Sequence, residues 1–354
     1  MKTIVFTGGG TLGHCIPNLA VFDRLNHAFD RFYYIGSEAG PEKKAVDGIM
    51  EYMPITTTKL SRGFHPENAL IPLKLIKGIR QAENILRRVN ANIVFSKGGF
   101  VSVPVCFAAS RLGIPIISHE SDLTLGLANR LTKNKSKYIL TSFSTTAESV
   151  ENGIYTGPPI SERALVEKPY AAKAKYLLPH KKPVLLVVGG SSGAKGINDF
   201  IFENLSLITQ KYEVLHICGD KHTNNLKADG YCQVGFEKDM AIAYSACDYA
   251  LSRCGSNTAF ELLARYIPTV FVPLPKKASR GDQIANAAYF EKKRLSLTIE
   301  EERLNAENLF EKLKTLEDNS AQFVGRMRAL NLKTSAKKIA DIVIAEAKKS
   351  ENLS

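Results

Sequence analysis

His14 is the first group in this chain placed to do chemistry. It follows Gly8-Gly9-Gly10-Thr11-Leu12-Gly13, which itself follows the apolar run Ile4-Val5-Phe6. A strand, a tight glycine turn and a helix start let backbone N–H groups face an anion. An imidazole there, with an ordinary pKa of about 6.5, suits proton transfer near neutrality or contact with phosphate. The plainer alternative is a histidine on a helix surface. A second acid–base group is His119-Glu120-Ser121-Asp122, after the apolar stretch 114–118. Residues just past the end of a parallel strand lie where ligands bind. Glu120 or Asp122 could take a proton or a sugar hydroxyl there; equally, Ser121 or Asp122 could cap the next helix.

The second half of the chain repeats the theme. Gly189-Gly190-Ser191-Ser192-Gly193 follows the apolar run 183–188. Gly255-Ser256-Asn257-Thr258 follows another strand-like stretch and offers phosphate-binding N–H donors at a helix start. Glu261, about one turn further, has two carboxylate oxygens for a ribose diol, or is a solvated helix glutamate. Arg280-Gly281-Asp282-Gln283 and Asn286 supply hydrogen-bonding groups of the sort that recognise sugars. Each piece is weak singly; their recurrence at successive strand ends is stronger. No D-x-D motif is present, and Glu120-x-Asp122 is too thin to hold a divalent metal.

These groups need an alternating βα scaffold. Strand-like stretches fall at 3–7, 31–36, 92–96, 114–118 and 137–141, with helices from 14, 101 and 124. The order restarts with strands at 183–188, 213–218, 231–234, 248–252 and 269–272. The pattern predicts two parallel sheets covered by helices, in two halves facing one cleft. Thr156-Gly157-Pro158-Pro159-Ile160 is the best linker candidate. Residues 334–349 space Ala336, Ile339, Ala340, Val343, Ile344 and Ala347 as a final amphipathic helix. The length of 354 residues suits two domains. Six cysteines without a C-x-x-C pair argue against a zinc or disulfide framework and fit a reducing compartment. The N-terminal apolar run is too short for a signal peptide and no stretch is long enough to span a bilayer, so a cytoplasmic chain, soluble or peripheral to a membrane, is expected.

Net charge is +12. Residues 1–160 hold 18 Lys/Arg and 12 Asp/Glu, a net of +6, and residues 59–88 alone hold seven basic and two acidic, a net of +5. So local an excess points to an anionic surface. Within it, Leu75, Ile79, Ala82, Leu86 and Val89 share a helical face that should be core. Leu70, Leu73 and Ile76 fall on the other side, among Lys77, Arg80, Arg87 and Arg88. Exposed apolar groups among cations suit an interfacial membrane contact, unless a neighbouring loop covers them.

Together, GGGTLGH at 8–14, SKGGFVSVPV at 96–105, HESDLTLGLANR at 119–130, GGSSGAKG at 189–196, SRCGSNTAFE at 252–261 and SRGDQIANA at 279–287 resemble the MurG family, in the spelling of its low-GC Gram-positive branch. That family adds N-acetylglucosamine (GlcNAc) to lipid I in peptidoglycan synthesis. The resemblance implies a GT-B fold: two doubly wound, Rossmann-like α/β domains facing a cleft, with the C-terminal helix crossing back to the first. The expected division is 1–157 plus 334–354 for the acceptor and membrane, and 158–333 for UDP-GlcNAc. By the same resemblance Ser191, Ser256, Asn257, Thr258, Glu261 (ribose), Asp282, Gln283 and Asn286 hold the donor, with Thr11 and Arg163. Gly10, Gly13, His14, Gly98 and Gly99 face the acceptor diphosphate. Leu70, Leu73, Ile76, Lys77 and Arg80 form the membrane patch.

The implied reaction is a single inverting displacement by the 4-hydroxyl of MurNAc, with neither metal nor cofactor and with His14 as the base, Asp122 or Glu120 in reserve. The expected partners are UDP-GlcNAc, undecaprenyl-linked lipid I, the cytoplasmic face of an anionic membrane and other cell-wall enzymes, not nucleic acid. Four positions depart from the family pattern: Asp122 for asparagine, Ser161 for arginine, with Arg163 a partial substitute, Leu12 for glycine or valine, and Leu125 for proline. Three rivals stand beside this reading. A glycolipid synthase of the same fold would share the donor loops. An NAD(P) oxidoreductase would use Gly8-x-Gly10-x-x-Gly13 with Glu38 on the ribose. A basic RNA-binding protein would need aromatic–basic stacking motifs, which are not seen, and tryptophan is absent.

Overall fold

The computed structural model describes residues 1–58, 70–179, 181–190, 193–279 and 281–351. Two compact units emerge: residues 1–161 with 334–354, and residues 162–333.

The first unit holds β1 (Thr3–Thr7), β2 (Arg31–Ser37), β3 (Glu51–Ile55), β4 (Ile93–Ser96), β5 (Ile116–Glu120), β6 (Tyr138–Thr141) and β7 (Gly153–Tyr155) in the order β3-β2-β1-β4-β5-β6-β7. Every pairing is parallel. Alternate side chains serve opposite faces of such a sheet. Ile4, Phe6, Ile93, Phe95, Ile117 and Leu140 pack on one side with Val21 and Leu25 of the helix Leu12–Leu25. Val5, Ile35, Val94 and Ile116 pack on the other with Ile79, Ala82 and Leu86 of the helix Ile71–Arg88. The closing helix Ser335–Glu351 belongs to this unit: Ile339, Ala340, Val343 and Ala347 enter the first of these clusters. Burying each large one is worth about 1.5–3 kcal/mol, which ties the end of the chain to its beginning.

The second unit holds β8 (Val184–Val188), β9 (Glu213–Ile217), β10 (Tyr231–Val234), β11 (Tyr249–Ser252), β12 (Thr269–Phe271) and β13 (Leu297–Thr298), ordered β10-β9-β8-β11-β12-β13 and again parallel. In both sheets the order reverses beside the first strand, between β1 and β4 and between β8 and β11. Open α/β sheets bind ligands at such a point.

The structure corrects several expectations. The three unpredicted strands, β3, β7 and β13, all lie at sheet edges. β3 carries Pro54, which an edge tolerates and which hides the strand signal. The expected strand 114–118 is displaced: β5 runs to Glu120, so His119 and Glu120 are strand residues rather than loop residues. The next helix, Leu127–Thr132, is capped at Gly126, not at Ser121 or Asp122. The helix expected from 14 begins at Leu12. Residues 156–160 are buried, with the N–H groups of Thr156 and Gly157 both reaching Thr141 O. Among the described residues no helix is long and apolar enough to cross a membrane.

Candidate active site

In the first unit the turns after β1 and β4 interlock. Gly10 has φ 90°, and a Cβ there would strike the ring of Phe100. Gly99 has φ 79°; a Cβ there would collide with Gly9 O and come within 3.0 Å of the His14 ring. His14, half-buried in the first turn of the helix Leu12–Leu25, is thereby set against Gly98-Gly99. Thr11 stands at the N-cap in extended backbone (φ −151°), exposed, with its side chain making no cap bond. Gly13 is exposed one residue before His14. Gly10 is corrected as an anion donor: its N–H points to Glu42 Oε2 at 3.4 Å. Glu42, fully buried, also accepts from Ser37 N at 3.0 Å and Ser37 Oγ at 2.6 Å. Gly10 therefore acts by letting Phe100 approach.

Glu120 also changes role. Its Oε1 accepts from Asp122 N at 3.1 Å, and its Oε2 accepts from Gly126 N and Asn129 Nδ2, both at 2.8 Å. It is 6% exposed, and burial pushes its pKa up. A buried carboxylate that accepts from three N–H groups holds the loop 121–126 in shape. His119 is fully buried, its Nε2–H donates to Gly157 O at 3.2 Å, and burial pushes its pKa well below the ordinary value, so the ring is neutral. Asp122 is half-buried at the start of the loop.

Lys97 was missed by sequence reasoning. It follows β4 directly, is 1% exposed, and donates from Nζ to Ser121 Oγ. Burial brings its pKa down to about 8, with Glu120 and Asp122 pulling upward. The available signal was a lysine between an apolar strand and a glycine pair, a position that the sheet covers on both faces. Phe100 and Glu42 were missed likewise.

In the second unit, the helix Ser256–Ala264 starts at Gly255 after β11. Ser256, Asn257 and Thr258 occupy its first turn, half-buried, and Glu261 follows. Burial raises the Glu261 carboxyl, while the Tyr244 hydroxyl, 2.6 Å from Oε2, lowers it. Asp282 opens the helix Asp282–Lys292 after Gly281, whose φ of 85° suits glycine. Gln283 Oε1 accepts from Leu274 N at 3.0 Å. Asn286 is corrected as a direct sugar contact: it is fully buried and donates from Nδ2 to Cys254 O at 3.3 Å, bracing the turn before Ser256. Arg253, also missed, is 7% exposed, donates to Val272 O at 3.1 Å and pairs with Glu301. Arg163 is exposed on the short helix Glu162–Leu165. Ser191 lies outside the described residues, as do Lys59 and Arg62 of the basic segment. Leu70, Leu73 and Ile76 are 50%, 66% and 47% exposed, and Lys77 and Arg80 are exposed beside them.

The structure thus gathers His14, Gly98 and Gly99 at one switch point, and it places the helix start at Ser256 at the other. The crystal structure of Acinetobacter baumannii MurG superposes with a TM-score of 0.73 at 23% identity, covering 97% of this chain and 99% of that one. Residues 4–141 match the glycosyltransferase family 28 N-terminal domain and 184–343 its C-terminal domain. Fold and matches define the class: a family 28 glycosyltransferase made of two doubly wound domains of the GT-B type, not a nicotinamide oxidoreductase. Two clostridial proteins extend the likeness along the whole chain. Those of Clostridium kluyveri (39% identity) and Clostridium botulinum strain Kyoto (40%) each share 97% of this chain and 99% of their own length. Both are named UDP-N-acetylglucosamine–N-acetylmuramyl-(pentapeptide) pyrophosphoryl-undecaprenol N-acetylglucosamine transferase. The chain belongs to the MurG family.

Proposed function

We propose that the protein transfers GlcNAc from UDP-GlcNAc to the 4-hydroxyl of the MurNAc unit of lipid I, giving lipid II. The observation that carries this reading is full-length similarity, at 39–40% identity, to transferases named for that reaction. The second unit takes the donor. The N-terminus of the helix Ser256–Ala264, with Ser256, Asn257 and Thr258, meets the diphosphate, and Ser191 is a further donor contact. Glu261 holds the ribose, and Asp282 and Gln283 address the sugar, with Arg163 a further donor contact. The first unit takes the acceptor through Gly13, His14, Gly98 and Gly99, and its Thr11 faces the donor.

The acceptor oxygen attacks the anomeric carbon as UDP departs, so one displacement inverts the centre. His14 takes the hydroxyl proton, with Asp122 in reserve. Leaving-group charge falls on N–H donors and the helix dipole. Leu70, Leu73 and Ile76, among Lys77 and Arg80, seat the protein peripherally on the cytoplasmic face of an anionic membrane, where lipid I lies and other cell-wall enzymes work.

The test is transfer of labelled GlcNAc to a short-chain lipid I analogue, with diacylglycerol as a second acceptor. Product on lipid I alone is expected; product on diacylglycerol alone would make this a glycolipid synthase instead. His14→Ala should lower kcat far more than it raises the donor KM, and an unchanged kcat removes His14 from the chemistry.

A further inference from the structure

Tyr244 ends the short helix Met240–Tyr244 and is 2% exposed. Its hydroxyl donates to Glu261 Oε2 at 2.6 Å. Burial and the facing carboxylate push the phenol's pKa well above its ordinary value, so the hydroxyl stays a donor throughout the working range.

A ribose diol presents two O–H donors side by side. A carboxylate answers both only when it is ionised and turned so that both oxygens face the sugar. Neither condition comes free at Glu261. Burial favours its neutral form, and the terminal torsion of a glutamate is broad and weakly staggered. The Tyr244 hydroxyl meets both needs with one bond. It stabilises the charged form, and it pins Oε2 while leaving Oε1 and the remaining lone pair of Oε2 for hydroxyls.

Tyr244 is itself held firmly. Asp239 caps its helix by accepting from Ala241 N at 3.2 Å and pairs with Lys168 at 2.5 Å. Just past its end, Ser245 Oγ accepts from Arg265 Nη2 at 2.9 Å, while Arg265 Nη1 donates to Leu165 O at 2.8 Å. A rigid donor on a braced helix end is a device for orienting a partner, which an ordinary core tyrosine does not need.

We propose that Tyr244 is the positioning residue for ribose recognition, acting through Glu261 to make the site prefer a ribonucleotide over its 2′-deoxy counterpart. This rests on the reading of Glu261 as the ribose ligand.

Calorimetric titration of the full chain with UDP and with 2′-deoxy-UDP tests it, using wild type, Tyr244→Phe and Glu261→Ala. Tyr244→Phe keeps the ring and its packing. Wild type should favour UDP at least tenfold. Tyr244→Phe should weaken UDP about tenfold, the low end for the loss of one hydrogen bond to a charged group, and change 2′-deoxy-UDP less than twofold, so the preference collapses. A merely structural tyrosine would weaken both ligands alike. An unchanged UDP preference in Tyr244→Phe, with the preference lost in Glu261→Ala, overturns the role of Tyr244 and leaves the ribose assignment standing. An unchanged preference in Glu261→Ala overturns the ribose assignment itself, and the proposal with it.

Discussion

The two units share one topology but support their glycine turns by different means. Behind the turns after β1, β4 and β5 lie Glu42, Lys97, His119 and Glu120, four ionisable side chains that are each at most 6% exposed. Behind the turns after β8 and β11 lie mostly neutral groups. Asn198 donates to Cys218 O at 2.8 Å and accepts from His216 Nε2 at 3.0 Å, and Asn286 holds Cys254 O. Arg253 with Glu301 is the charged exception, a pair of no net charge. The first unit thus stabilises its turns with buried charges, Lys97 lying close enough to Glu120 and Asp122 to feel their field, and the second does so with neutral hydrogen bonds.

The largest expected effect tests that contrast directly. Lys97→Met keeps the length of the side chain but removes the buried cation whose field reaches Glu120 and Asp122, and with it the hydrogen bond to Ser121. Leaving a buried carboxylate uncompensated costs about 3–5 kcal/mol. Asn286→Ala in the second unit should cost about 1–3 kcal/mol, the loss of one buried hydrogen bond with its acceptor stranded. Hydrogen exchange resolved by unit would read both losses. Equal losses would erase the distinction between charged and neutral support.

Acid should then probe the neutral side. Burial brings the pKa of His216 down to about 4. Its folded pKa lies below its unfolded value, so its contribution to stability is full above pH 6.5 and is lost as pH falls towards 4. At 1.36 kcal/mol per unit this amounts to about 3 kcal/mol. His119 acts in the same direction in the first unit. His216→Gln should flatten the acid limb of the second unit's stability curve and leave that of the first unchanged. A second unit whose acid limb is unaltered by the substitution would show that His216 does not carry it.

Which of these features could be read before the structure follows from physics. Glycine turns are legible because the backbone they require restricts residue type, and central strands are legible because burial on both faces demands unbroken apolar runs such as Val184–Val188. Edge strands need neither: β3 contains Glu51 and Pro54, and β13 is two residues long. The charged backing was the harder part. Nothing local in Ser96-Lys97-Gly98 marks the lysine as buried, because its partner Ser121 is 24 residues away. Nor does His119-Glu120 look like strand, since the partners of His119 Nε2 and of the Glu120 carboxylate, Gly157, Gly126 and Asn129, all lie outside it. Burial of a charge is decided by tertiary partners, and one-dimensional patterns carry no record of them.

The smallest effect on stability belongs to the exposed side of the helix Ile71–Arg88, where Leu73 and Lys77 stand exposed among the described residues. Leu73→Glu with Lys77→Glu should change unfolding free energy by less than about 0.5 kcal/mol, since both positions face outward. Its effect on membranes should be far larger. Losing one apolar insertion and reversing one cation near an anionic surface together remove roughly 3 kcal/mol, about a hundredfold in partition. Sedimentation with vesicles of rising anionic lipid content measures this, and UDP affinity, which we assign to the other unit, should stay at the wild-type value. Vesicle binding indifferent to the double substitution would move the membrane contact off this helix, and the charge excess of the first unit would then need a different anionic partner.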